Sequence, residues 1–163
     1  MIEVAGARGS VRDAKGLVLR ALAWGAAHGA DVQLVDATRV VGAEHLLAAA
    51  GKAERSLAEG RNAGATRSLE TLLYASGERQ ITAALKKMGV KDESTEVAAI
   101  VWDGAVDPLL RELGLARDDG VLAASEEKLL RFGITAIELS TLPETRWADL
   151  VLERVALVDV LKR

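Results

Sequence analysis

Apolar residues recur along this chain with two spacings. One alternates, as in a strand with a single face on a core; the other returns at three and four residues, as in a packed helix. "IEVAGARG" at residues 2–9 reads as a short strand ending at glycine, and "DVQLVDA" at 31–37 alternates toward a second. Between them, Ser10 with Asp13 three residues on has the spacing of a capping box. The helix it would open carries Val11, Leu17, Val18, Ala21, Leu22, Trp24 and Gly25 on a wide apolar face, and His28-Gly29 closes it. The alanine-rich residues 41–60 predict a long helix to about Glu59, followed by the loop "RNAGATRS".

Residues 70–92, "ETLLYASGERQITAALKKMGVKD", predict two further helical halves. Leu69, Leu72, Leu73 and Ser76 share one face, then Ile81, Ala84, Leu85 and Met88 share the next, with Ser76-Gly77 as a kink or break between them. "TEVAAIVWDG" is a buried strand, and "DPLLRELG" a short helix with Pro108 in its first turn. "ARDDGVLAA" predicts a turn into a short extended piece, and "SEEKLLRFG" a helix with acids at its positive end. A last helix starts near Pro143 and passes through Trp147, Leu150 and Val151. Branched residues in "VALVDVL" favour a closing strand. The order is β-α-β-α-α-α-β-α-(β)-α-α-β. It implies an α/β chain of the mixed α+β kind, with a mixed sheet of about four to five strands and several helices in one domain over residues 1–163.

Composition narrows the class. Half of the 163 residues are hydrophobic, enough to bury a core and too many for a disordered chain. No apolar run approaches the roughly 18 residues of a membrane span, and the first residues lack the charged and apolar regions of a signal peptide. With no cysteine, disulfides, thiol nucleophiles and cysteine-bound metal are excluded, and a cytoplasmic location is expected.

Candidate chemistry is sparse. His28 and His45 are the only histidines, and neither sits in a catalytic or metal motif. His28 suits a helix C-terminus, and Glu44-His45 point about 100° apart on a helix. Asp118-Asp119-Gly120 fits a polar turn better than a cation site. The aromatic residues number only five, too few for a row of base-stacking platforms. An enzyme is not expected, and neither a cofactor nor a metal is implied.

Charge distribution changes the picture. Net charge is −3, yet residues 60–91 hold six cations (Arg61, Arg67, Arg79, Lys86, Lys87, Lys91) against Glu70 and Glu78, a window of +4 that leaves −7 elsewhere. A basic strip on an acidic body is the footprint of a polyanion-binding face, although a solvated helix face would give the same count. On one helix Arg79, Thr82, Ala83 and Lys86 would lie opposite Ile81, Ala84, Leu85 and Met88, with Gln80 and Lys87 on the border. Arginine offers a fork to phosphate, lysine a point charge, and glutamine a donor and acceptor for a base edge.

Glu70, Leu72, Leu73, Ser76, Gly77, Arg79, Gln80, Ile81, Ala84 and Gly89 fall in the order of a known signature. The stretch resembles the Cgi-type, or PRPK-binding, protein family, an accessory subunit of the KEOPS complex. Residues 118–122 and the "LERVALVDV" tail are similar as well. The resemblance implies a non-catalytic α/β subunit that docks on and stimulates a RIO-like kinase subunit. It also implies capture of the single-stranded 3′ CCA end of tRNA in a complex that makes threonylcarbamoyladenosine. By the same resemblance Arg79 and Gln80 are the expected tRNA contacts; Lys86, Lys87, Lys91 and Arg67 join them on charge and helix geometry alone. Alternatively, Arg79-Gln80 could cap the preceding helix or bridge to Glu70. The competing functions are a protein-only scaffold and a small-molecule α/β enzyme using His28 or His45.

Overall fold

A computed structural model describes residues 1–162. Its elements run β1 (Ile2–Arg8), α1 (Ala14–His28), β2 (Asp31–Asp36), α2 (Ala43–Ala58), α3 (Arg67–Ser76), α4 (Ile81–Met88) and β3 (Glu96–Trp102). They continue as α5 (Val106–Glu112), β4 (Ala116–Arg117), α6 (Glu126–Phe132), α7 (Ala136–Ser140) and α8 (Ala148–Leu161). Short 3-10 turns lie at Ala37–Arg39, Asp119–Leu122 and Glu144–Arg146. The α+β class holds. The residues gather into two compact units, one of residues 1–38 and 89–123, the other of 39–88 and 124–162.

The first unit is built on a four-stranded sheet in the order β2-β3-β1-β4. All of its pairings are antiparallel, with Ala5 opposite Ala99 and Leu34 opposite Ala99 on the other side. The mixed sheet that the interleaved helices suggested is therefore an antiparallel one. β3 is paired on both edges and is buried from Val97 to Trp102, so both of its faces are covered as well. On one face Ala7, Val32, Val97, Ala99 and Val101 pack with Leu17, Ala21 and Trp24 of α1 and Leu109 of α5. Each large apolar side chain so buried contributes about 1.5–3 kcal/mol.

Helix α1 starts later than the sequence suggested. Asp13, not Ser10, is the N-cap: its carboxylate accepts from the Gly16 amide at 3.0 Å, and a carboxylate at that end also meets the positive pole of the helix. Leu22 lies outward, 49% exposed, because the buried stripe passes through Leu17, Ala21, Trp24 and Gly25. The extended piece at Ala116–Arg117 precedes the Asp118-Asp119-Gly120 turn instead of following it. That turn is strapped to β1: the Gly6 amide donates to Asp119 Oδ1 at 2.9 Å, and the Asp118 amide donates to Gly6 O at 2.9 Å. Arg8 Nε donates to Asp118 Oδ2 at 2.6 Å, and Arg117 pairs with Asp119. Its carboxylates are thus engaged within the fold, in keeping with a polar turn.

The second unit is helical. α2 and α3 pack against each other, with Leu46, Ala49, Ala50 and Ala53 meeting Leu72, Leu73 and Tyr74 in a fully buried layer. α7 is the one helix that pattern reading passed over. It has five residues, but Thr135 and Glu138 close a complete capping box at its start. The strand expected at residues 155–161 is the second half of α8. Leu150, Val151, Val155 and Val158 lie buried at helical spacing, and packing of that stripe outweighs the strand preference of branched side chains.

Candidate nucleic-acid and partner interface

Helix α3 opens on Thr66, whose hydroxyl accepts from the Leu69 amide, and it breaks at Gly77. Gly77 adopts φ 73°, a left-handed conformation that glycine takes without the Cβ penalty. Its amide donates to Tyr74 O at 3.2 Å and the Glu78 amide to Leu73 O at 3.3 Å, the paired bonds of a Schellman end. Buried Ser76 tightens this end: its hydroxyl donates to Leu73 O and accepts from the Glu78 amide. The break resolves the kink-or-break question. It also moves Arg79 and Gln80 off the helix on which sequence reasoning set them, into the turn before α4.

Both side chains are exposed there, and neither makes a hydrogen bond or ion pair among the described residues. The Gln80 carbonyl accepts from the Ala84 amide and starts α4, leaving the side-chain amide uncommitted. Lys86, on the outer face of α4, is exposed and equally unpartnered. Leu85 joins this outer face at 43% exposure and does not share the buried stripe, which is Ala84 and Met88. An arginine, a glutamine and a lysine are thus presented beside a rigid turn.

Glu70, the suggested partner of Arg79, is wholly occupied elsewhere. It is fully buried, and Ser56 Oγ donates to its Oε1 at 3.0 Å. The Ala63 and Gly64 amides donate to Oε2 at 3.0 and 2.7 Å, and Lys162 pairs with Oε1. Gly64 lies so close to α3 that an added Cβ would stand 2.7 Å from the Glu70 amide nitrogen. Loop 61–64 is therefore pinned to the start of α3, with Arg67 half-buried as the first helical residue. Nearby, Asp159 accepts from Tyr74 Oη and pairs with Lys52 at 3.3 Å.

Lys87 departs from the expected ridge. Its side chain is half-buried and its ammonium lies 3.8 Å from the centre of the Phe132 ring. It lines a cleft of about 190 Å³ with Ser76, Gly77, Phe132, Gly133, Arg154 and Leu157 among its walls. Burial holds this ammonium below the usual lysine range. Glu78 acts against that shift, while the positive charges of Arg39 and Arg154 add to it. Arg154 is paired with Glu138 at 2.5 Å. Sequence reasoning missed Phe132, Arg154, Ser56 and Lys162, which come from distant segments; only the lone phenylalanine before Gly133 carried a signal. Lys91 is exposed and belongs to the first unit, where its ammonium donates to Gly89 O at 3.0 Å.

The histidines are structural in their surroundings. His28 Nδ1 lies 2.8 Å from Trp24 O at the end of α1, and its ring stacks on Trp24 at 4.4 Å. His45 is fully buried. The Val41 amide donates to Nδ1 at 3.2 Å, and Nε2 lies 2.8 Å from Ala75 O. These contacts fix a neutral ring with its proton on Nε2, and burial pulls its pKa down to about 4.

Large apolar side chains are exposed on the outward side of α8: Leu157, Val160 and Leu161 at 41, 59 and 45%. Among the described residues no helix is long and apolar enough to cross a membrane, so this face is not part of a helical span. No curated protein matches the chain. A family profile described as kinase binding protein CGI-121 matches residues 10–150, a span that takes in the basic turn, Glu70 and the cleft wall at Phe132. Covering far more than half of the chain, that match makes this protein a member of the kinase-binding CGI-121 family.

Proposed function

We propose that this chain is the accessory subunit of a KEOPS-type complex that makes threonylcarbamoyladenosine in tRNA. It binds and stimulates a RIO-like kinase subunit and captures the single-stranded 3′ CCA end of the tRNA. One observation carries the RNA half. Arg79, Gln80 and Lys86 stand exposed and unpartnered beside a turn whose backbone is fixed by Gly77 and Ser76. The fixed backbone of the turn confines the entropy lost on meeting a phosphate to the side chains themselves, and the fork of Arg79 suits phosphate oxygens. The kinase half rests on family membership, and the apolar end of α8 is the surface we assign to it.

A gel-shift with tRNA, intact and trimmed of its terminal CCA, tests the RNA role. Affinity should fall steeply with salt as counterions are released. It should also fall when CCA is removed and when Arg79 is replaced by Glu. Equal affinity for intact and trimmed tRNA would refute CCA capture.

A further inference from the structure

Helix α1 turns apolar rows in two opposite directions. Leu17, Ala21 and Trp24 enter the core, while Leu19, Leu22, Ala23 and Ala26 line the outward side. Leu19 is 57% and Leu22 49% exposed, although the four recur at the spacing of a packed helix face. Single leucines on a surface are ordinary; a continuous row marks a contact surface. Lys15 extends the row toward the start of the helix, exposed and without a hydrogen bond or ion pair among the described residues. Arg20 bounds it on one side, its guanidinium donating to Glu112 O at 2.6 Å.

Two asymmetries decide the occupant. The large side chains, Leu19 and Leu22, stand in the first half of the row and the small ones, Ala23 and Ala26, in the second. Lys15 stands at the first end, and the negative pole of the helix lies at the other. An identical row turned end for end opposes large to small and ammonium to carbonyl. We infer that α1 pairs antiparallel with the α1 of a second copy of this chain, Leu22 over Ala23 and Leu19 over Ala26 of that copy. The two-fold axis passes between residues 22 and 23, so each pairing occurs twice. Alanines let the helices approach to about 8 Å. Helical side chains lean toward their own N-terminus, so each Lys15 leans toward the last carbonyls of the opposite helix. A parallel pair would set lysine against lysine. The row is short, since α1 has 15 residues and is about 22 Å long. One helix face of that length buries less than the roughly 1,200 Å² of a stable interface, so the pair is weak and depends on concentration. It uses neither α8 nor the turn at Arg79, and stands whether or not the chain captures RNA.

Sedimentation equilibrium of the full chain from about 10 µM to about 1 mM reads the pairing, and the average mass should rise from one chain toward two across that range. Leu22→Glu should hold it at one chain, and so should Leu19→Glu. Both positions are exposed, so a native circular-dichroism spectrum is expected of each. Lys15→Glu should weaken pairing about three- to tenfold, and Val160→Glu on α8 should leave it unchanged. Cross-linking reads the geometry, since the chain has no cysteine of its own. Oxidation of Ala23→Cys should yield a disulfide-linked dimer, the two sulfurs meeting beside the axis. Lys15→Cys should not cross-link, as the two copies of that position stand about 22 Å apart along the helices. A wild type that stays one chain at the top of the range overturns the pairing, and flotation of that single chain with anionic vesicles unless it carries Leu22→Glu would give the face to a membrane. Self-association abolished by Val160→Glu and spared by Leu22→Glu overturns it in favour of α8. Cross-linking at position 15 as strong as at 23 overturns the antiparallel arrangement.

Discussion

Lys162 closes an ion pair with Glu70 from 92 positions away in the chain, inside a pocket where the carboxylate has no exposure at all. The end of α8 is thereby tied to the start of α3, and through the Ala63 and Gly64 amides to loop 61–64. Breaking a buried pair by deleting one member is expensive, about 3–5 kcal/mol, because the other charge is stranded. Glu70→Ala should lose that much in urea unfolding. Lys162→Met should lose less, about 1–3 kcal/mol, since Glu70 keeps its Ser56 hydroxyl and two amide donors. Equal losses would mean that the lysine alone balances the site.

His45 makes stability depend on pH in a defined window. The folded ring takes a proton only near pH 4, whereas in the unfolded chain it does so near 6.5. Between those values the unfolded state binds more protons, so stability falls as pH drops from 6.5 toward 4 and is fully present above 6.5. At 1.36 kcal/mol per pKa unit the loss is about 3 kcal/mol at most. Thermal melts of the wild type should show this slope, and His45→Phe should flatten it. Asp118, Asp119 and Glu138, whose bonding partners hold them below the usual carboxylate range, act further into acid and leave this window to His45.

Gly77 tests the turn itself. An added Cβ would lie 3.6 Å from Arg154 Cβ and 3.8 Å from Phe132 Cζ, ordinary contact distances. Space therefore permits alanine, and the cost is the left-handed backbone, about 1–2 kcal/mol. Gly77→Ala should lower Tm by about 2–4 °C per kcal/mol lost and weaken tRNA binding by disturbing Arg79 and Gln80. A full Tm with weakened binding would separate the two effects.

The α8 face predicts a separable loss of partner. Val160→Glu puts a charge on a position 59% exposed, so stability should change by less than about 0.5 kcal/mol. Kinase binding, read by calorimetry, should disappear while tRNA affinity stays. Undiminished kinase binding would move the docking site elsewhere.

Much of this was legible before the fold was seen. β1, β2 and β3 stand where the apolar pattern put them, since cross-strand burial and sequence pattern agree there. The Ser76-Gly77 break was visible as a glycine after a leucine stripe. Arg79 and Gln80 were singled out as candidate contacts on residue type and resemblance; they lie in the turn before α4, the helix that carries Lys86, while Lys91 belongs to the other unit. Three things were hidden. Local propensity misassigned residues 155–161, because the contacts that make them helical come from other segments. Lys87 looked like a surface cation, since Phe132 is 45 residues away in sequence and nothing local announces a ring beneath it. Lys162 had no signal, as its partner is defined only when α2, α3 and α8 meet.

The contact between Gly6 and the Asp118-Asp119-Gly120 turn works as a hasp. A methyl group at position 6 would stand 2.5 Å from Val121 Cγ2 and 2.6 Å from the Asp118 carbonyl oxygen, so the strand and the turn can close only where no side chain intervenes. Any substitution there would prise the turn from the strand and break two bonds at once, the Gly6 amide to Asp119 and the Asp118 amide to the Gly6 carbonyl.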